Sequence, residues 1–279
     1  NYADEDGVSY VNLDGAFGLD HERIRDIIGQ IHSRGQKAGW YAAPCNCPAV
    51  LGDLPLKGTD LLIGDLFFKD ASGNVLPAAD NKFHFDFTHP VWVDYARKII
   101  RILTELGVDY IKLDFLSHAS VEGCHYEKNV TGRMAIDRVY RLLEEEIDRC
   151  GREIFVSLSI APLFPYFLGN ARRCCCDCFG HSDDVRYALN ALNFAWWTNG
   201  RIYRYNDPDH VPLYHSIIDG RGVSTEAEAK SRYYSAVISG TVMMLSDNYG
   251  PQGEEDIIYN ARERAGKIAN DEAGKAIAS

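Results

Sequence analysis

Residues 88–114 read THPVWVDYARKIIRILTELGVDYIKLD, a helix followed by a strand. Thr88-His89-Pro90 reads as the helix start, because proline at the first helical position gives up only an N–H that has no partner there. Trp92, Tyr95, Ile99, Ile102, Leu103 and Leu106 recur at helical spacing and predict one buried stripe. Tyr110-Ile111-Lys112-Leu113-Asp114 then reads as a strand that ends in a carboxylate. The same alternation runs outward in both directions. Upstream lie a strand over 10–14, a helix with Ile24, Ile27, Ile28 and Ile31 on one face and Gly35 at its end, and a strand over 37–42. A long loop rich in Gly, Asp and Pro separates that strand from the helix start. Downstream come a helix with the stripe Ile136, Val139, Tyr140, Leu143 and Ile147, then strands over 153–159, 171–178, 201–205 and 241–245.

Strands that alternate with helices of this length pair in parallel through right-handed crossovers. Seven such strands without a glycine-rich nucleotide loop predict an α/β fold, a (β/α)8 TIM barrel, whose first strand is missing or lies before Asn1. Nothing resembling a repeat, a low-complexity stretch or a linker divides the 279 residues. The expectation is one catalytic-size domain over 1–279, with a polar, Ala-rich tail from about residue 250.

The composition is that of an ordinary globular chain, 46% hydrophobic and 25% charged. With 29 Lys plus Arg against 40 Asp plus Glu, the net charge is −11. An acidic chain without a dense basic cluster is poorly suited to phosphate backbones or anionic lipid, so nucleic-acid and membrane partners are not expected. No apolar run approaches the roughly 20 residues of a membrane helix. Asn1-Tyr2-Ala3-Asp4 shows neither a basic segment nor an apolar run, so no signal peptide is read there, and the compartment stays open. Four of the eight cysteines crowd into Cys174-Cys175-Cys176-Asp177-Cys178, and Cys45-Asn46-Cys47 is the other close pair. Without paired ligand spacing, thiols packed on a buried strand are expected rather than zinc ligands. The sequon Asn129-Val130-Thr131 bears on the chain only in a glycosylating secretory route.

In a barrel of this type the chemistry sits at the C-terminal ends of the strands. Those ends are Asp14, Tyr41, Asp114, Ser159, Asp177 and the run Asn206-Asp207-Pro208-Asp209-His210. Carboxylates on separate strand ends suit acid/base work, metal binding or sugar-hydroxyl recognition. Lys112 lies two before Asp114 and shares its strand face, and Arg173 lies four before Asp177. A cation beside each carboxylate favours the ionised form. Plainer accounts stand beside these. A strand-end Asp also serves as the N-cap of the next helix. Lys112 and Asp114 also fit a structural ion pair, and Asn206 to Asp209 also fit an Asx/proline turn. His118, His181 and His215 lack ligand spacing and read as surface residues, and Trp196-Trp197 read as core.

Tyr110 to Asp114 resembles the fourth-strand nucleophile motif of the α-galactosidase/α-N-acetylgalactosaminidase clan, nearest to glycoside hydrolase family 27 and its relative family 36. Arg173-Cys174-Cys175-Cys176-Asp177 is similar to that clan's Arg-x-x-x-Asp, whose Asp is the acid/base. Asn206-Asp207-Pro208-Asp209 is similar to the seventh-strand motif. Val11-Asn12-Leu13-Asp14 falls where acids bind the galactose 4- and 6-hydroxyls. Gly39-Trp40-Tyr41-Ala42 resembles the segment whose Tyr lines the sugar pocket, and Met243-Met244-Leu245-Ser246-Asp247 the final barrel strand. The motifs follow one another in order over about residues 8–250. Three departures accompany them. Gly15 stands where a second acid follows Asp14, Phe115 and Leu116 stand where cysteines follow the nucleophile, and the C-terminal β-sandwich is missing. The segment 157–162 looks closer to the small-residue form of the α-N-acetylgalactosaminidases.

The resemblance implies retaining hydrolysis of terminal α-galactosides, with Asp114 as nucleophile and Asp177 as acid/base. It implies Asp14, Tyr41, Lys112, Ser159, Arg173, Asp209 and His210 as contacts to a small sugar or oligosaccharide, and it implies no cofactor and no metal. Two carboxyl groups in a retaining enzyme stand roughly 5–5.5 Å apart. The rival readings are the same scaffold acting on α-GalNAc, β-L-arabinopyranoside or α-glucoside, and a non-catalytic carbohydrate-binding barrel.

Overall fold

The computed structural model describes residues 9–13, 20–78, 81–213, 224–238, 244–246, 264, 266–272 and 275–276. The chain divides into two compact units, one over Tyr10–Gly169 and one built from Asn170 onward.

The first unit runs β1 (Tyr10–Leu13), α1 (His21–Ser33), β2 (Lys37–Ala42), β3 (Asn46–Pro48), β4 (Lys82–His84), α2 (Pro90–Leu106), β5 (Tyr110–Leu113), α3 (Gly132–Asp148) and β6 (Phe155–Leu158). β1, β2, β5 and β6 pair in that order, all parallel, with Asn12, Gly39, Tyr110 and Phe155 in one row and Tyr41, Lys112 and Ser157 two residues further on. β3 and β4 form an antiparallel pair inside the segment read from sequence as a plain loop.

Each helix starts where a side chain can take an orphan N–H. The Asp20 carboxylate accepts from Arg23 N–H at 2.7 Å, His89 Nδ1 from Val91 N–H at 3.2 Å, and Thr131 Oγ1 from Met134 N–H at 3.3 Å. Gly107 ends α2 in the left-handed region at φ 95°, which costs a glycine nothing. Its buried stripe is Trp92, Ala96, Ile100, Leu103 and Leu106. That corrects the predicted stripe, because Tyr95, Ile99 and Ile102 lie to its side. Trp92 Nε1–H donates to Pro44 O at 3.1 Å and sets the rotation of the helix. The α3 stripe is buried as predicted.

α2 and α3 are joined by charge. The buried Glu146 carboxylate accepts from Arg97 at 2.5 Å, Arg101 at 2.6 Å and Arg149 at 2.6 Å. Arg101 above all, then Arg97, holds Glu146 below the usual carboxylate range against the opposing effect of its burial. Glu146→Ala leaves three guanidinium groups without their shared partner. It is expected to lower Tm by roughly 4–8 °C in a thermal melt, whereas an unchanged Tm would show that water replaces the carboxylate at no cost.

The second unit contains β7 (Ala171–Arg173), α4 (Ser182–Ala195), β8 (Tyr205–Asp207), β9 (His210–Val211), α5 (Glu226–Ile238) and β10 (Met244–Leu245). β7 pairs with β8 and β9 with β10, both parallel. Val211, Leu213, Ala229, Ala236 and Ile268 form a core around β9 and α5. Within neither unit do the described strands close into a ring.

Two predicted strands shorten here. The 171–178 strand stops at Arg173, since Cys174 N–H still reaches Asp207 O at 2.8 Å but the backbone then leaves the ladder. The cysteine run therefore lies in a turn rather than in a buried strand, with Cys178 buried and Cys176 exposed, all as free thiols. The 201–205 strand begins only at Tyr205, because Gly200 N–H to Tyr203 O and Tyr203 N–H to Thr198 O close a turn before it. Of 241–245 only Met244 and Leu245 are described, and they are strand.

Candidate active site

Side chains alternate across a strand, and parallel register carries that alternation from strand to strand. One face of the first unit's sheet holds Ala38, Trp40, Ala42, Ile111, Leu113, Val156 and Leu158, all buried. The other face holds Tyr10, Asn12, Gly39, Tyr41, Tyr110, Lys112 and Asp114, with Phe155, Ser157 and Ser159 on β6 and its extension. That second face is layered along the strands. Near the strand starts, Tyr110 and Phe155 stack at 5.5 Å and Tyr10 meets Tyr110 edge-on at 6.0 Å. Near the strand ends it turns polar.

Gly39 is needed in this face. A Cβ there would stand 2.7 Å from Asn12 Oδ1 and 3.1 Å from the Asn12 Cα, which is backbone and cannot yield.

The polar end gathers Tyr41, Lys112, Asp114 and Ser159, four of the residues nominated from the sequence. Lys112 Nζ lies 5.3 Å from the Tyr41 ring centroid. Asp114 N–H donates to Ala42 O at 2.9 Å and Ser159 N–H to Leu113 O at 2.8 Å, so both residues extend their strands by one position. Asp114 is 7% exposed and its Oδ1 accepts from Phe115 N–H at 2.7 Å. The Ser159 hydroxyl is buried and has no hydrogen-bond partner, so an incoming hydroxyl would satisfy a group that folding left bare. Asp14 and Asp247 lie outside the described residues.

Sequence reading missed the neighbours that β3 and β4 supply. Asn46 Nδ2 stands 3.4 Å from His118 Nδ1, and the His84 and His118 rings meet edge-on at 4.5 Å. His118, expected at the surface, is half-buried. Its burial, then His84 and Lys82, push its pKa down to about 4, with Asp114 pulling weakly the other way. No periodicity marks the loop that brings Asn46 and His84 there. The usual value of 6.5 applies to His118 in the unfolded chain, so between pH 6.5 and about 4 only the unfolded state takes up this proton. Stability contributed by neutral His118 is therefore present above that window and lost as pH falls through it. Calorimetry should show Tm of His118→Gln falling less than wild type over this range, and parallel curves would rule the coupling out.

The second unit carries the other predicted group. Arg173 Nη2 contacts Asp177 Oδ1 at 2.5 Å and Asp209 Oδ2 at 2.9 Å, and its own side chain is 7% exposed. Burial disfavours the guanidinium charge, but Asp209, Asp177 and Asp207 outweigh burial and hold Arg173 above its ordinary range. The side chain of Asp177 is 59% exposed, open to a ligand. Asp209 is not: its Oδ2 also accepts from Cys178 N–H at 2.7 Å and meets His210 Nε2 at 2.8 Å. Asp209 N–H donates to Asp207 Oδ1 at 2.8 Å with φ 79° at Asp209, which is the Asx turn that the sequence left open. Asn206 is structural, accepting from Thr198 Oγ1 and donating to Ala195 O. Asp184 is consumed by the N–H groups of Phe179, Gly180 and His181. His181 is the half-buried N-cap of α4, and His215 lies outside the described residues. Trp196 and Trp197, read as core, are 63% and 37% exposed, because α4 ends in a short 3₁₀ turn that carries them outward.

No family model and no curated protein sequence matches the chain. Solved structures do, and what they share with this chain is an α/β barrel fold. An α-galactosidase from Thermus thermophilus in complex with stachyose matches with a TM-score of 0.65 and 16% identity, over 92% of this chain and 57% of that one. A family GH27 β-L-arabinopyranosidase from Geobacillus stearothermophilus matches with a TM-score of 0.62 and 19% identity, over 91% and 56%. An isomalto-dextranase from Arthrobacter globiformis T6 complexed with panose matches with a TM-score of 0.55 and 18% identity, over 94% and 46%. The chain thus spans about half the length of the solved structures it matches. At these identities the likeness is one of fold.

Proposed function

We propose that the chain is the catalytic barrel of a retaining exo-glycosidase that removes terminal α-linked galactose. Both units belong to one catalytic domain in this reading. The observation that carries it is Asp114, a buried carboxylate at the end of β5 on the polar face, with Lys112 and Tyr41 one layer below it. A fold shared with α-galactosidases supports it.

Asp114 attacks the anomeric carbon and forms a glycosyl ester while Asp177 protonates the leaving oxygen. Asp177 then takes a proton from water, which opens the ester with net retention. Lys112, Tyr41 and Ser159 hold sugar hydroxyls beside the nucleophile, and Asp14 is the proposed acid for the hydroxyls farthest from the reacting carbon. Arg173 aims Asp177, Asp209 holds Arg173, and His210 in turn holds Asp209. No cofactor or metal takes part in this scheme.

The same scaffold acting on β-L-arabinopyranoside or an α-glucoside is the second reading, supported by fold neighbours that are a β-L-arabinopyranosidase and an isomalto-dextranase. Hydrolysis of a panel of nitrophenyl α-galactoside, α-GalNAc, β-L-arabinopyranoside and α-glucoside separates them. Preference for the α-galactoside is expected. Sugar binding without release from any member of the panel would favour a carbohydrate-binding barrel.

A further inference from the structure

Two bulky residues of the first unit have left-handed backbone, and each directly follows a strand-end polar residue of the candidate site. Phe115 follows Asp114 with φ 57°, and Ile160 follows Ser159 with φ 41°. For side chains branched at Cβ or carrying a ring this region is costly, and such outliers persist only where the surroundings enforce them. Here they do. Ser117 N–H donates to Ile160 O at 2.7 Å and ties the two strand ends together, while His118 N–H donates to Phe115 O at 3.0 Å. The Phe115 ring is gripped as well, with Lys82 Nζ 4.5 Å from its centroid and the His118 ring 5.2 Å away.

The Phe115 N–H, in the 114–115 peptide that the left-handed turn holds from its far side, donates to Asp114 Oδ1 at 2.7 Å. We propose that Phe115 is a positioning residue for the nucleophile: its ring, clamped by Lys82 and His118, locks the left-handed turn whose N–H fixes the Asp114 carboxylate. The inference rests on Asp114 being the nucleophile. It extends that reading, since the device that aims the carboxylate is then the residue after it rather than a neighbouring strand. A glycine would adopt the turn without strain but would leave nothing for the clamp to hold.

The test compares Phe115→Ala, Phe115→Tyr and Lys82→Met with wild type, together with Asp114→Asn, on a nitrophenyl glycoside that wild type hydrolyses. Loss of the clamp should lower kcat of Phe115→Ala by roughly 10–100-fold with KM within about threefold, because a carboxylate that is bound but misaimed slows reaction more than binding. Phe115→Tyr keeps the ring and should stay within about twofold of wild type, and Lys82→Met should fall between the two. The Phe115 amide proton should resonate downfield in wild type and in the Tyr variant, and the residue-115 amide should move upfield in the Ala variant. Phe115→Ala with unchanged kcat, or Phe115→Tyr as impaired as Phe115→Ala, overturns the positioning role while Asp114→Asn still reports on the nucleophile. Full activity in Asp114→Asn overturns the proposed function itself, and the role of Phe115 with it.

Discussion

Asp114→Asn should lose hydrolysis by roughly 10⁴-fold or more, because an amide cannot form the glycosyl ester through which the proposed reaction proceeds. The substitution is nearly isosteric, and the Asn carbonyl can still accept from Phe115 N–H, which Asp114 Oδ1 now does at 2.7 Å. The fold should therefore be kept, and Tm should move little. Steady-state release of nitrophenolate, read beside a thermal melt, checks both halves. If the variant keeps more than a few per cent of wild-type turnover, the nucleophile is another group.

Asp177→Ala should give the second large effect, and one that depends on the leaving group. General acid assistance is worth about 10²–10⁴-fold, so substrates with poor leaving groups should lose that much. Dinitrophenolate or fluoride departs without a proton, and the first step should survive with them. The glycosyl-enzyme would then wait for a base. Azide needs no deprotonation and should restore turnover, giving an α-configured azide product. Asp177 is the exposed partner of Arg173 at 2.5 Å, whereas Asp209 is buried and held by three groups. Azide rescue of Asp209→Ala in place of Asp177→Ala would transfer the role, and a β-configured product would mean inversion and remove Asp114 from covalent chemistry.

Several elements were legible because their signals are local. The α3 stripe and the strands β2 and β5 needed only periodicity and short-range capping. The α2 stripe was misjudged by one residue at several turns, because Trp92 is anchored through Pro44, 48 residues away, and that contact sets which face turns inward. The strands over 171–178 and 201–205 were overlong for a related reason. β-rich composition shows where a strand can run, but the ladder partner decides where it stops, and here that partner is a three-residue strand.

The sequence by itself determined the alternation of strand and helix, and with it the parity that puts Lys112 and Asp114 on one face, whereas the register of the folded sheet added Tyr41 and Ser159 to it. Parity follows from the two-residue period of a strand and needs no knowledge of the rest of the chain. Tertiary structure alone decided what surrounds those residues. His84 and Asn46 reach His118 from an antiparallel strand pair that has no periodic signature. Lys82 and His118 hold Phe115 in a backbone region that its own sequence disfavours. Asp209 is drawn inward onto Arg173, Cys178 and His210. Each outcome depends on groups distant in sequence competing for one side chain, and the winner is set by burial and geometry that exist only once the chain has folded.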